Sequence, residues 1–143
     1  MLTEKDLAAV RRYYLEVFNQ KKESLLDELA VPDYVEHNPF PGHGQGIAGL
    51  RQRVAMLQSA FLANFTIEDM ITEDDKVVVR WTNPVVHHGT FFGIPPTGKH
   101  ITVQGIDLIR VQDGKMAEHW DVVDLLSVLQ QLGAFPQPAG PAA

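Results

Sequence analysis

Asp113-Gly114 separates two runs rich in β-forming residues, His100 to Gln112 and Lys115 to Val123. An Asp-Gly pair supplies the left-handed backbone that a tight hairpin turn needs. The two runs are therefore antiparallel neighbours in one sheet. With a two-residue loop, Gln112 faces Lys115 and Val111 faces Met116. Counting outward puts Leu108 opposite His119, Ile106 opposite Asp121 and Gln104 opposite Val123. A bulge or an odd loop shifts this pairing by one. On the unshifted register one face carries Gln104, Ile106, Leu108, His119, Asp121 and Val123. The other carries Asp107, Ile109, Glu118, Trp120 and Val122. Both faces are mixed, so alternation alone does not choose the inner one.

The rest of the chain supplies what covers that sheet. Thr3 caps a first helix with Glu4 and Asp6 in its first turn, and Leu7, Val10, Tyr14, Val17 and Phe18 recur at helical spacing. A second, shorter helix covers about Lys22 to Ala30 and stops at Pro32. Residues 33–46 read as a loop, with three glycines and two prolines. A third helix follows, with Ile47, Leu50, Val54, Leu57 and Phe61 on one stripe. Strands then cover Phe65 to Thr72 and Lys76 to Thr82, the second fraying near Pro84. Asp124 caps a last helix that ends at Gly133. Helices grouped before a hairpin-linked sheet define an α+β layer architecture. Residues 1–133 form one domain, and the Pro/Ala-rich stretch 134–143 is expected to be a mobile tail.

Composition closes several routes. The chain has 143 residues, enough for one domain with a core of its own. It contains no cysteine, which excludes disulfides, thiolate metal sites and thiol nucleophiles. Its 12 Lys+Arg against 18 Asp+Glu give a net charge of -6, the wrong sign for a nucleic-acid partner. No apolar run reaches the 18 or so residues of a membrane span. The polar N-terminus has no signal-peptide apolar stretch, so a cytoplasmic location is expected.

A face bearing Asp121, His119 and Gln104 among aliphatic side chains has a chemical reading. If it turns toward the helices, Asp121 is a carboxylate in an apolar hollow, where desolvation raises its proton affinity. A tuned base beside an imidazole and an amide is a proton-transfer constellation. The plain structural alternative is a carboxylate that caps the last helix or pairs with Arg80 or Arg110. Asp124 is better placed as the cap.

Several segments together are similar to one family. His87-His88-Gly89-Thr90-Phe91-Phe92 followed by Gly93-Ile94-Pro95-Pro96-Thr97-Gly98-Lys99 resembles the central segment of SnoaL-like polyketide cyclases. Gly105-Ile106-Asp107-Leu108-Ile109-Arg110, Asp113-Gly114-Lys115 and Glu118-His119-Trp120-Asp121 with Asp124 resemble the family's final hairpin. Glu36-His37-Asn38-Pro39 resembles its first active-site loop, and Leu129-Gln130-Gln131-Leu132-Gly133 its ending. The resemblance implies an NTF2-like fold: a curved antiparallel sheet wrapped by helices into a cone around an apolar pocket. It also implies an intramolecular aldol condensation without metal or cofactor, with Asp121 at the position of the family's general acid/base.

The expected site is therefore Asp121 and His119 as catalytic residues, with Gln104 and His119 as hydrogen-bond donors to an enolate. His37 and Asn38 are expected at the pocket mouth, and Trp81, Tyr14 and Ile106 in the wall. The expected substrate is a small hydrophobic carbonyl compound, and the expected assembly a homodimer or higher homo-oligomer. No metal site is expected. His87 and His88 are adjacent on a strand and do not converge, and there is no H-E-x-x-H motif. Two other functions remain open. One is a non-catalytic binding or dimerisation module. The other is an epoxide hydrolase, which needs two carboxylates bridged by an arginine, such as Asp121, Arg80 and Asp107. On the unshifted register Asp107 faces away from the pocket.

Overall fold

The computed structural model describes residues 1–135. The expectation of a mobile tail falls mostly on residues 136–143, which lie outside the described residues. Helix α1 (Glu4–Arg12) is capped by Thr3, whose side chain accepts the Asp6 N–H while Asp6 reaches back to the Thr3 N–H. A π-helical turn, Tyr13–Phe18, continues it and buries Tyr13, Tyr14, Val17 and Phe18. A 3-10 turn, Glu23–Leu25, leads into α2 (Leu26–Leu29). Next come β1 (Ala30–Glu36), α3 (Gly46–Ala60) and β2 (Phe61–Leu62). The chain then forms β3 (Thr66–Glu73), β4 (Lys76–His87), β5 (His100–Gln112) and β6 (Lys115–Val123). It ends in α4 (Leu125–Gln131), capped by Asp124 through the Ser127 N–H.

The six strands form one sheet in the order β1-β6-β5-β4, with β2 and β3 sharing the far edge of β4. The helices cover its inner face. This is the α+β cone that the resemblance implies. Two segments differ from the reading of the sequence. Residues 30–36 are not helix end and loop but an edge strand running parallel to β6, with Glu36 beside His119. Pro32 fits there because an edge strand can lack an N–H on its open side. Strand β4 also continues through Pro84 to His87. Pro84 lies in the gap where β3 has ended its pairing, at Thr82, and β2 has not begun its own, at Val86.

The third difference lies in the last hairpin. Gln112↔Lys115 and Val111↔Met116 pair as expected, but Arg110 then pairs with Glu118. Ala117 is an extra residue in β6, a β-bulge, and both Met116 and Ala117 are buried. Beyond it every pair shifts by one: Ile109↔His119, Leu108↔Trp120, Asp107↔Asp121. Asp107 therefore turns inward with His119 and Asp121, while Gln104 and Ile106 turn outward.

Val10, Tyr14, Val17, Leu26, Leu29, Val54, Val77, Val79 and Ile109 make the dry centre of the main core. A second cluster, including Phe61, Val85, Phe91 and Val128, lies toward the other end of the sheet. Gly105 is the contact point between sheet and tryptophan. A Cβ there would sit 2.5 Å from the Trp81 ring and 3.0 Å from the Val122 carbonyl. Gly105→Ala is expected to cost about 1–3 kcal/mol, as overpacking of a core does. Chemical denaturation gives the loss, and near-UV circular dichroism reports the displaced indole.

Candidate active site

Between the two clusters lies a cavity of about 530 Å³. Its wall is largely apolar, with Phe18, Leu57, Phe65 and Val103 among the side chains, and Tyr13, Tyr14, Trp81, Asn83, Asp107, His119, Asp121, Asn38 and Arg53 supply its polar groups. Of the residues expected in the site, Asp121, His119, Asn38, Trp81 and Tyr14 line it. The other three do not. Gln104 is exposed and Ile106 is 47 % exposed on the outer face of the sheet, because the Ala117 bulge shifts β6 by one against β5 and puts Asp107, not Ile106, on the face of Asp121. His37 also points outward, since inner residues of β1 and its continuation alternate with outer ones. Its ring stacks on Trp120 at 4.3 Å, and its Nε2 meets Glu118 Oε1 at 2.7 Å.

Asp107 is the anchor of one half of the site. Its Oδ2 accepts the Tyr14 hydroxyl and the Trp81 Nε1–H at 2.9 Å. Its Oδ1 lies 3.0 Å from His119 Nε2. The π-turn places Tyr14, and the missing side chain at Gly105 lets Trp81 lie across β5. Burial, then the nearby Asp107 charge and hydrogen bond, hold the Tyr14 hydroxyl well above its usual pKa. Tyr14 is thus a fixed donor in the site, not a base.

His119 is clamped between two carboxyls. Its Nδ1 meets Glu36 Oε2 at 2.7 Å, opposite the Asp107 contact. Burial disfavours the imidazolium, but the hydrogen bonds and charges of Asp107 and Glu36 outweigh it. The pKa is pushed up to about 9. With both nitrogens engaged, His119 donates to carboxyls and has no N–H left for a substrate. Burial also pushes the Glu36 carboxyl up. His119, Arg53 and the Asn38 N–H together outweigh it and leave Glu36 below its usual range.

Asp121 completes the cluster. Arg53 Nη2 donates to its Oδ2 at 2.6 Å, while Arg53 Nη1 lies 3.3 Å from Glu36 Oε1 and donates to the Asn38 carbonyl at 3.1 Å. The Asp121 N–H donates to Asn38 Oδ1 at 2.9 Å. Among the described residues nothing hydrogen-bonds Asp121 Oδ1 or the Asn38 Nδ2 donors. Burial raises the Asp121 pKa, Arg53 and His119 pull it down, and Asp107 and Glu36 push it up. The net shift is upward. Three carboxyls share two cationic side chains; Glu36 lies below its usual range and Asp121 above it.

Glu36, Arg53 and the inward Asp107 are the site residues that the sequence reading did not assign. The cluster also bears on metal binding. Asp107, His119 and Asp121 offer ligand atoms within 4.8 Å of one another. A metal there would need a neutral imidazole with a free lone pair, and both ring nitrogens of His119 face carboxyls.

Residues 8–132 match the family model of SnoaL-like polyketide cyclases, and the chain belongs to that family. It is 33% identical to the aklanonic acid methyl ester cyclase DnrD of Streptomyces peucetius, over 98% of each chain. It is 32% identical to the aklanonic acid methyl ester cyclase DauD of Streptomyces sp. (strain C5), over 90% of this chain and 83% of that one. Among solved structures it is similar to TsrD from Streptomyces laurentii. That likeness has a TM-score of 0.85 and 32% identity, over 94% of this chain and all of the other. The NTF2-like cone and the cyclase family are thus shown together. No helix among the described residues is long and apolar enough to cross a membrane.

The His119 clamp fixes a pH dependence. Its folded pKa of about 9 exceeds the unfolded value of 6.5. The stability it contributes is therefore complete below about pH 6.5 and is lost as pH rises through about 9. Denaturation midpoints measured from pH 6 to pH 10 should fall across this window in the wild type. They should fall less steeply in Glu36→Gln, which lacks one of the two carboxylates.

Proposed function

We propose that the protein is a cofactor-independent cyclase that closes a ring by intramolecular aldol condensation, with Asp121 as the general acid/base. The observation that carries this reading is the Asp121 carboxyl, with one oxygen unbonded and its proton affinity raised, in the wall of a largely apolar cavity. Asp121 Oδ1 takes a proton from carbon next to a carbonyl. The enolate attacks a second carbonyl of the same molecule, forming one carbon–carbon bond. The protonated Asp121 then returns its proton to the new alkoxide. Atoms and electrons balance without an oxidant or a cofactor. Gln104 and His119 do not serve as the enolate donors. Gln104 lies on the outer face, and the His119 nitrogens are taken. The Asn38 Nδ2 amide, tied beside Asp121 through its own Oδ1, is the donor that the geometry favours. The apolar wall folds the substrate and keeps water out.

The relatives are named as cyclases of aklanonic acid methyl ester and nogalonic acid methyl ester. A neutral polyketide ester with several carbonyls suits this cavity, whose two cations are both spent on carboxyls. Asp121→Asn should remain folded and lose about 10²–10⁴-fold in turnover, the usual share of general acid–base catalysis. Ring closure followed by absorbance on a polyketide methyl ester gives the measurement, and unchanged turnover removes Asp121 from the chemistry.

One observation favours a second reading. Arg53 holds Asp121, as expected of a binding module whose carboxylate is structural. In that case Asp121→Asn would weaken ligand binding or stability while the wild type showed no turnover. An epoxide hydrolase has less support. Asp107 does face inward, but its oxygens are taken by Tyr14, Trp81 and His119. The arginine bridges Asp121 to Glu36 instead, and Arg80 pairs with Asp69 on the far side of the sheet.

We also infer a homodimer through the outer face of the sheet, where Val122 is 76 % and Ile106 47 % exposed. Light scattering coupled to size exclusion should report a dimer for the wild type and a monomer for the Ile106→Lys, Val122→Lys pair.

A further inference from the structure

The chain builds the same tight turn twice and fills it differently. At the tip of the last hairpin, Asp113 and Gly114 have φ of 51° and 78°. At the tip of the 88–98 loop, Phe92 and Gly93 have φ of 44° and 79°. There Phe91 N–H donates to the Ile94 carbonyl at 3.0 Å and Ile94 N–H to the Phe91 carbonyl at 2.9 Å, which closes a two-residue hairpin. Asn, Asp and Gly occupy the first position of such a turn at least cost, and a bulky aromatic is strained there. Strain of this kind persists where the surroundings fix it, and it clusters at ligand clamps.

The surroundings do fix it. His88 and Gly89 N–H both donate to the Ala60 carbonyl, at 2.9 and 3.1 Å. The loop closes at its base where His87 N–H meets the Lys99 carbonyl and Gly98 N–H the His87 carbonyl, both at 2.9 Å. The Thr97 N–H adds a bond to His87 Nδ1 at 3.2 Å. On this rigid base Phe91 is buried, but Phe92 is 51 % exposed while lining the cavity. Its ring meets Phe40, from the facing 37–45 loop, edge-on at 5.4 Å. Phe40 in turn lies under the Arg53 guanidinium at 4.3 Å, and Arg53 holds Asp121.

We propose that Phe92 and Phe40 form an aromatic gate at the cavity mouth, and that Phe92 is a specificity-setting side chain that contacts the substrate. The left-handed backbone at residue 92 aims the ring at the mouth, and a half-exposed ring gains contact area when an apolar ligand sits beneath it. The contact between Phe40 and Arg53 joins the gate to the side chain that holds Asp121. The proposal rests on the cavity being the substrate site, as in the proposed function, but its test needs no turnover.

The test uses the full chain and the neutral fluorescent probe N-phenyl-1-naphthylamine, whose emission rises in apolar surroundings. Phe92→Asn gives the turn its preferred residue and removes the ring. The expected result is a probe affinity at least about threefold weaker, with a Tm that rises by up to about 4 °C and does not fall by more than about 2 °C. Phe92→Tyr should restore wild-type affinity. A larger fall in Tm means that the ring is packing. An affinity changed by less than threefold means that it touches no ligand. A wild type that leaves the probe dark means that the mouth admits none, and a Phe92→Tyr chain as weak as Phe92→Asn means that the ring is not what binds. Each of these results overturns the gate. Turnover of Asp121→Asn is read separately, so the gate and the catalytic assignment can fail independently.

Discussion

In an antiparallel hairpin the turn sets the pairing, and the pairing sets which side chains share a face. Ala117 interrupts that rule with one extra residue in β6. Before it, Val111 and Met116 pair as the Asp113-Gly114 turn dictates. After it, Asp107 lies opposite Asp121 and both point at the helices. Without the bulge Asp107 and Asp121 would lie on opposite faces of the hairpin, and His119 would lose one of its two carboxyls. The burial of Tyr14 and Trp81 depends on Asp107, because each has a polar group that must find a partner in the core. Asp107 is that partner for both.

The electrostatics follow from the packing. Glu36, Asp107 and Asp121 come from three strands, and Arg53 and His119 are the cations set among them. Buried carboxyls of like charge compete for cations. Asp107 has two neutral donors besides His119, and Glu36 touches both cations. Asp121 has Arg53 and the cavity. The group with the fewest compensating contacts has a raised proton affinity, which supports the proposed acid/base role.

Much of this was legible in the sequence. Asp113-Gly114 gave the hairpin, Thr3 and Asp124 gave two helix starts, and the ordered motifs gave the family and the cone. His119 and Asp121 share a face on any register because they are two apart on one strand. Gln104 and Ile106 were misplaced because their face depends on a bulge, which moves one strand against the other without a turn residue to announce it. The adjacent apolar pair Met116-Ala117, just past the turn, was the available signal. Arg53 had one too. It lies three residues after Leu50 and four before Leu57, on the edge of the stripe that α3 buries, where a charge needs a partner. Residues 30–36 were hidden by Pro32, which argues against a central strand but not against an edge. Phe92 was unreadable, since a left-handed phenylalanine has no sequence mark apart from the glycine that follows.

An arginine on the proposed base is compatible with proton transfer once the opposing effects are weighed. Burial alone would favour the protonated carboxylic acid, and an acid that stays protonated cannot take a proton from carbon. Arg53 and His119 counter burial by favouring the ionised form, while Asp107 and Glu36 oppose them. Arg53 contacts Oδ2 and leaves Oδ1 without a bond, so the carboxyl is oriented with one oxygen committed and the other open. That arrangement supports the proposed role, because a general base needs a lone pair with a fixed direction.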